Sequence, residues 1–487
     1  MATQTTGGGS TVSFGTTPQA NTDIYSFTED ASNILILNVL ANDLGGAAKT
    51  LFSLDDGTST SASTKSYAPA DLLVKDVAYS SDAAGAAGTS DHSALGARIW
   101  IESDGTVHYD KGDINAQLQA LAVGETLTDT FTYAIQLGNG TLSWATVTLQ
   151  FNGLNDTPTI VVNSTTANGS FIEAANTAGS TTPDSATGTI TFADADLHDT
   201  HSVSNSGPSF SWSAGSLTSA QVSALAAASS LNLVTTDSTN SGTGTVKWTY
   251  SAADETFDFL ALGQTLTVTY TVAIDDGHGG TVSQPVTVTV TGTNDQPIIV
   301  AGSTTASGTF SETANTTGSS AAHTASGSIG FADVDISDTH TSSVTGVTTG
   351  GTTSGLPPTS TLLSWFSLGA QTDSINGATG TQAWSFSAQD KGFDYLAAGE
   401  SVTLIYSVQI SDGHGGTVTQ PVTITVTGTN DAAILSADTR NLTETNSATD
   451  ISTSGTLTIS DVDSPATFVA QAGTAGSYGT FAIGTDG

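Results

Sequence analysis

The chain has 487 residues, enough for roughly three or four domains that each bury a core. It carries 45 acidic against 8 basic residues, a formal net charge of −37. So few cations exclude nucleic acid and anionic membrane surfaces as partners, because almost nothing is available to neutralise phosphates. Self-repulsion of this size calls for counter-ions, and divalent cations held by clustered carboxylates are the economical answer. With no cysteine, disulfides and thiolate metal sites are both excluded.

Residues 1–20 are rich in Gly and Thr and read as a flexible tail, with "TVSF" (Thr11–Phe14) available as a strand or as a donor strand. The N-terminus has neither a basic nor an apolar signal region, so no cleavable signal peptide is expected. No apolar run approaches about 18 residues, so no membrane insertion is expected.

Three landmarks then repeat. Asn155-Asp156, Asn294-Asp295 and Asn430-Asp431 follow one another at 139 and 136 residues. Gly124, Gly263 and Gly399 keep the same two steps, and Asp194 and Asp333 are 139 apart. Several landmarks in one register define a true repeat. It divides the chain into a divergent unit at 21–157, two close copies at 158–296 and 297–432, and an incomplete copy at 433–487. The first unit carries an insertion at about 58–100, the one place for a private function such as ligand binding. Five of the eight basic residues, Lys49, Lys65, Lys75, Arg98 and Lys111, lie before residue 112.

Within each unit the pattern is β. Leu266, Val268, Tyr270, Val272 and Ile274 alternate with Thr and Ala, as do Val286, Val288 and Val290 after them. "DGHGG" between the two runs supplies the positive φ angles of a hairpin. Only "SAQVSALAAASS" (219–230) and "AQLQALAVG" (116–124) read as helical. About seven short strands per unit predict an all-β chain of antiparallel sandwich domains in a linear array.

The repeated acids fall at the ends of these strands. The hairpin faces the preceding unit, and an early "DAD" or "DVD" can sit beside it. The exit Asn155-Asp156 should then approach Asp194, Asp196 and the turn acids Asp275 and Asp276. In the same way Asn294-Asp295 should approach Asp333, Asp335 and Asp412, and Asn430-Asp431 should approach Asp461 and Asp463. Two carboxylates one residue apart repel unless a cation lies between them. Oxygen-only clusters suit Ca²⁺, which takes six to eight oxygen ligands. Against this, the Asn residues could be plain Asx-turn caps. His278 and His414 read as exposed turn residues, and His201 and His340, each in "DTH", as structural.

"FADADLHDTH", "FDFLALGQTLTVTYTVAIDDGHGG" and "VTVTGTNDQP" resemble VCBS repeats, the cadherin-like modules of very large secreted bacterial surface proteins such as RTX-type adhesins. The resemblance is strong over 158–432, recognisable over 433–487 and loose over 21–157. It implies an Ig/cadherin-like sandwich, Ca²⁺ as cofactor, an extracellular place and export by a type I system. It also implies that the early Glu173 and Glu312 and the mid-domain Asp254 and Asp390 join the site at their own unit's exit, with Glu29 of "YSFTED" counted among the acids. The first unit departs from the pattern, with Gln136-Leu137 in place of the Asp pair. The third exit departs too, with Ala432-Ala433 in place of Gln-Pro.

The leading expectation is a calcium-stiffened rod, used as an adhesin stalk or surface component, whose partners are neighbouring repeats or further copies of itself. Surface glycans and host or abiotic surfaces are further candidate targets. The alternatives are a filament or surface-layer subunit assembled by strand complementation and, more remotely, a carbohydrate-active or carbohydrate-binding module. No nucleophile–base pair occurs, and acids that recur with the domain period argue against an enzyme.

Overall fold

Strand formation follows directly from the alternating apolar pattern. In Thr265–Asp275 every second residue is buried, and Leu266, Val268, Tyr270, Val272 and Ile274 form one inward face. Thr and Ala occupy the other. Each such Val, Leu or Ile contributes about 1.5–3 kcal/mol by leaving water. The strand pairs antiparallel with Thr281–Thr291 from Thr265↔Thr291 to Asp275↔Thr281, so the hairpin tip is "DGHGG". Thr126–Gln136 with Leu142–Asn152, and Ser401–Ser411 with Thr417–Thr427, repeat this pairing in the first and third units.

The computed structural model describes residues 2–5, 11–14, 19–55, 71–88, 91–446 and 451–487. Part of the expected insertion, including Lys65, therefore lies outside the described residues. In the second unit, Thr159–Ile160, Pro183–Ala193, Thr243–Ala253 and Ser230–Thr236 form one four-stranded sheet. Asn168–Ile172, Thr281–Thr291, Thr265–Asp275 and Ser202–Trp212 form the other. The third unit repeats both sheets strand for strand, and the first also builds two four-stranded sheets. The chain is thus a tandem series of β-sandwiches.

One pairing in each unit is parallel. Asp23–Thr28, Asn168–Ile172 and Ser307–Ser311 each run alongside the last long strand of their own unit. This detail carries the site, because it brings the acid that follows the early strand to the same end as the unit's exit.

The three large cores among the described residues match the three units, spanning residues 20–151, 186–290 and 329–426, and a small fourth cluster joins Leu72 and Ala134 in the first unit. Among the described residues of 433–487 the strands form only two-stranded pairs, and Val469, Tyr478 and Phe481 are exposed. The stretch Ser219–Ala228 is helical, closed by a capping box between Thr218 and Gln221. The second expected helix shrinks to Asn115–Leu118, which continues directly from the 3-10 turn Lys111–Ile114. Thr11–Phe14 is a strand whose partner is Ala2–Thr5 of the same chain.

Candidate metal centres

The end of each unit meets the start of the next through the repeated acids. At the first junction the Asn155 side-chain amide donates to Asp276 Oδ2 (3.0 Å), and the Asp156 amide donates to Asp196 Oδ2 (2.8 Å). At the second, Asn294 donates to Asp412 Oδ2 (3.0 Å) and the Asp295 amide to Asp335 Oδ2 (2.9 Å). At the third, the Asp431 amide donates to Asp463 Oδ2 (2.9 Å). Asn155 and Asn294 therefore clasp the neighbouring unit's hairpin rather than merely capping a local turn.

The hairpin glycines make this approach possible. Gly277 and Gly279 take φ of 80° and 110°, open to glycine and strained for other residues. Gly280 is required by space instead: a Cβ there would lie 2.1 Å from Asp276 Oδ2 and 3.0 Å from Asn155 Nδ2. Gly416 is crowded in the same way by Asp412 and Asn294.

The parallel edge strand delivers the early glutamate. Glu173 Oε2 accepts from the Thr293 amide (2.8 Å), Glu29 Oε1 from the Leu154 amide (2.7 Å) and Glu312 Oε2 from the Thr429 amide (3.2 Å). The result is three groups whose carboxylate oxygens lie within 4.8 Å of one another: Glu29, Asp156 and Asp196; Glu173, Asp258 and Asp295; Glu312, Asp394 and Asp431.

The structure puts different acids in these groups from some of those the resemblance implied. Asp254 and Asp390 stand one step behind. Asp254 is spent on the Ala174 amide and the Thr177 hydroxyl, and Asp390 on the Thr313 amide, the Thr316 hydroxyl and His323. Their places are taken by Asp258 and Asp394, four residues on and 136 apart, inside "FDF" and "FDY". Asp275 points its carboxylate back to the Gly277 amide and the Thr281 hydroxyl, while Asp276 meets the junction. Asp199 and Asp338, 139 apart, share the repeat spacing too; both are buried, 3.6 Å from His278 and 3.8 Å from His414.

The "DxD" pairs divide their labour. Asp194 Oδ1 accepts from the Asp196 amide (3.0 Å) and its Oδ2 contacts His201 Nε2 (2.8 Å). Asp333 does the same with Asp335 and His340. Burial opposes the charged rings of His201 and His340, but their carboxylate bonds outweigh it and raise both above the ordinary histidine range. The first Asp of each pair thus has a hydrogen-bond partner on each oxygen, and the second keeps an oxygen without one. Asp461 accepts the amides of Asp463 and Ser464 on Oδ1.

Those free oxygens decide what the sites can do. Glu29 Oε2, Asp156 Oδ2, Asp196 Oδ1 and Asn155 Oδ1 at the first junction are buried without a partner. At the second junction so are Glu173 Oε1, Asp258 Oδ1, both oxygens of Asp295, Asp335 Oδ1 and Asn294 Oδ1. At the third, the same holds for Glu312 Oε1, Asp394 Oδ1 and Asp463 Oδ1. Buried charge without compensation is strongly unfavourable, and the carboxyls register it. Burial, helped by neighbouring acids, pushes Glu173 and Asp335 up to about 8, Glu29 and Glu312 to about 7 and Asp196 to about 6. Converging oxygen donors with unfilled lone pairs fit a hard divalent cation.

The first junction differs at one buried position. The 3-10 turn that opens on Asp254 and Asp390 in the later units opens on Lys111 in the first. Lys111 is 2% exposed, and its Nζ donates to the Glu29 carbonyl. Desolvation lowers its pKa against the pull of Asp30 and Glu29.

No protein-family model matches the chain, and no curated protein does. Solved structures similar to it include protocadherin gamma B2 extracellular cadherin domains 1–5, with 11% identity over 93% of this chain and 68% of that one and a TM-score of 0.34. Drosophila N-cadherin EC1-4 is 12% identical over 84% and 74%, with a TM-score of 0.26. The protocadherin gammaB7 EC3-6 cis-dimer is 12% identical over 95% and 90%, with a TM-score of 0.32. At such scores the β-sandwich assignment stands on the chain's own sheets and registers.

Proposed function

We propose that this chain is an extracellular repeat protein whose units are joined end to end by Ca²⁺, serving as an adhesin stalk or structural element of a bacterial surface. The observation that carries the reading is the set of buried, unpartnered carboxylate oxygens recurring where one unit meets the next. Glu173, Asp258, Asp295, Asp333 and Asp335, with Asn294 and Asp412, would supply the second junction. Glu29, Asn155, Asp156, Asp194, Asp196 and Asp276 would supply the first, and Glu312, Asp394, Asn430, Asp431, Asp461 and Asp463 the third. An ion held by residues of both units removes freedom at the linker between them, so a flexible string becomes a rod. The resemblance to VCBS repeats supports the surface location and type I export. Recurrence of the same acids at every junction supports a mechanical role over a catalytic one.

Small-angle scattering of the chain in excess Ca²⁺ and in excess chelator tests this. The maximum dimension should fall and the ensemble broaden on chelation. An unchanged scattering profile would sink the proposal.

A further inference from the structure

The extra segment of the first unit builds one side-chain cluster that the repeats lack. Asp82 opens the helix Asp82–Ala87, Glu102 follows the strand Arg98–Ile101, and His108 lies in Val107–Asp110. An oxygen of each carboxylate and a ring nitrogen of His108 lie within 4.8 Å of one another. Glu102 and His108 are buried, at 6% and 7% exposure, whereas Asp82 reaches in from the surface.

The local packing holds these groups in place. Trp100 and His108 are cross-strand partners, with ring centroids 5.8 Å apart. The Trp100 indole N–H donates to Glu102 Oε1 (3.0 Å), which fixes the carboxylate. Gly85 lets the helix lie on that indole, since a Cβ there would sit 2.1 Å from Trp100 Nε1. The helix thereby sets Asp82 Oδ1 against His108 Nδ1.

The second, independent observation concerns the other ring nitrogen. His108 Nε2 is buried and has no partner. A clasp between helix and strand needs only the Nδ1 contact and leaves Nε2 unexplained. Carboxylate–histidine–metal arrangements use both nitrogens, one on the ion and the other on an orienting carboxylate. The donor chemistry also differs from that of the junctions, which offer oxygen alone. Imidazole with carboxylates suits Zn²⁺ and its first-row neighbours, while Ca²⁺ takes oxygen ligands.

We propose that His108, through Nε2, and Glu102 form a binding site for a first-row divalent transition ion such as Zn²⁺, with Asp82 orienting the imidazole through Nδ1. The site is private to the first unit and does not depend on the calcium reading of the junctions. Two protein donors leave coordination open for water or for a donor from another molecule.

The test holds the intact chain in excess Ca²⁺, so that the junction carboxylates are engaged, and titrates Zn²⁺ by equilibrium dialysis and Co²⁺ by visible absorption. One further ion per chain is expected, with a cobalt spectrum showing nitrogen ligation. Asp82→Asn, a change at a half-exposed position that should leave the fold intact by circular dichroism, should weaken binding about 10- to 100-fold. His108→Gln should abolish it; if that variant does not fold, Asp82→Asn and Glu102→Gln decide. Absence of uptake under excess Ca²⁺, or uptake unaltered in Asp82→Asn, would overturn the proposal.

Discussion

The first two junctions share a topology and differ in how their acids are balanced. Both bring an early glutamate, an exit Asn-Asp and a "DAD" or "DVD" aspartate together. At the second junction the group is all acid, and Glu173 and Asp335 are driven up to about 8. At the first, Gln119 replaces the mid-unit acid and donates to Asp30 (3.3 Å), and the buried Lys111 sits against Glu29. The first junction has a buried lysine ammonium beside its acids, and the second has none at the matching turn. If the joints bind Ca²⁺ as proposed, a substitution at one turn position would change how much counter-charge a joint takes up.

The largest expected effect follows from this. Ligands that bind only the folded state stabilise it by mass action, so chelation should lower the melting of the 158–432 region by on the order of 10 °C. The first unit should lose less. Calorimetry with and without chelator resolves the two transitions, and equal losses would break the comparison.

Lys111→Met is the next test. Without its internal cation, the first junction should lose on the order of 2–3 kcal/mol in chelator and become as calcium-dependent as the second. Denaturant unfolding at several Ca²⁺ concentrations measures this. A variant whose calcium dependence matches the parent would show that Lys111 does not balance the site.

A change of sign is expected for Glu173→Gln. In Ca²⁺ it removes a ligand and should cost on the order of 2 kcal/mol. In chelator it removes an uncompensated buried charge and should be neutral or stabilising. Destabilisation of equal size in both conditions would mark Glu173 as a purely structural residue, and the contrast with Glu29 would lose its meaning.

The smallest effect is in pH. Glu29, Glu173, Glu312, Asp196 and Asp335 have folded-state pKa values raised above their unfolded ones, so the folded state holds more protons between the two. Stability without Ca²⁺ is therefore highest below about pH 4.5 as far as these groups are concerned, and it falls as pH rises through about 7 for Glu29 and about 8 for Glu173 and Asp335. Chelated protein should melt higher at pH 5.5 than at pH 8, mainly in the second and third units; in Ca²⁺ the trend should reverse, because protons compete for the ligands. Melting scans across that range read both signs.

Much of this architecture was legible from periodicity alone. Alternation in Thr265–Asp275 has one solution once a face must be buried, and the in-register copies at 401–411 and 126–136 follow. The hairpin end and the exit end of that strand pair are opposite, so the meeting of Asn155 with the next unit's turn could be reasoned from the chain order. The identity of each site acid was harder to read. Asp254 and Asp258 are equally spaced in the repeat, and only the 3-10 turn between them sends one to the Ala174 amide and the other to the junction. Likewise Asp275 and Asp276 are adjacent letters on opposite sides of a turn.

Spacing by itself determined that the chain is a series of β units with acids at their ends, because period-2 burial and hairpin chemistry are local. Tertiary structure alone decided which oxygens are buried without partners, that Lys111 occupies the position of Asp254, and that Asp82, Glu102 and His108 converge. Those depend on the direction of side chains across parallel and antiparallel pairings distant in sequence, where a single step along a strand turns a residue to the other face.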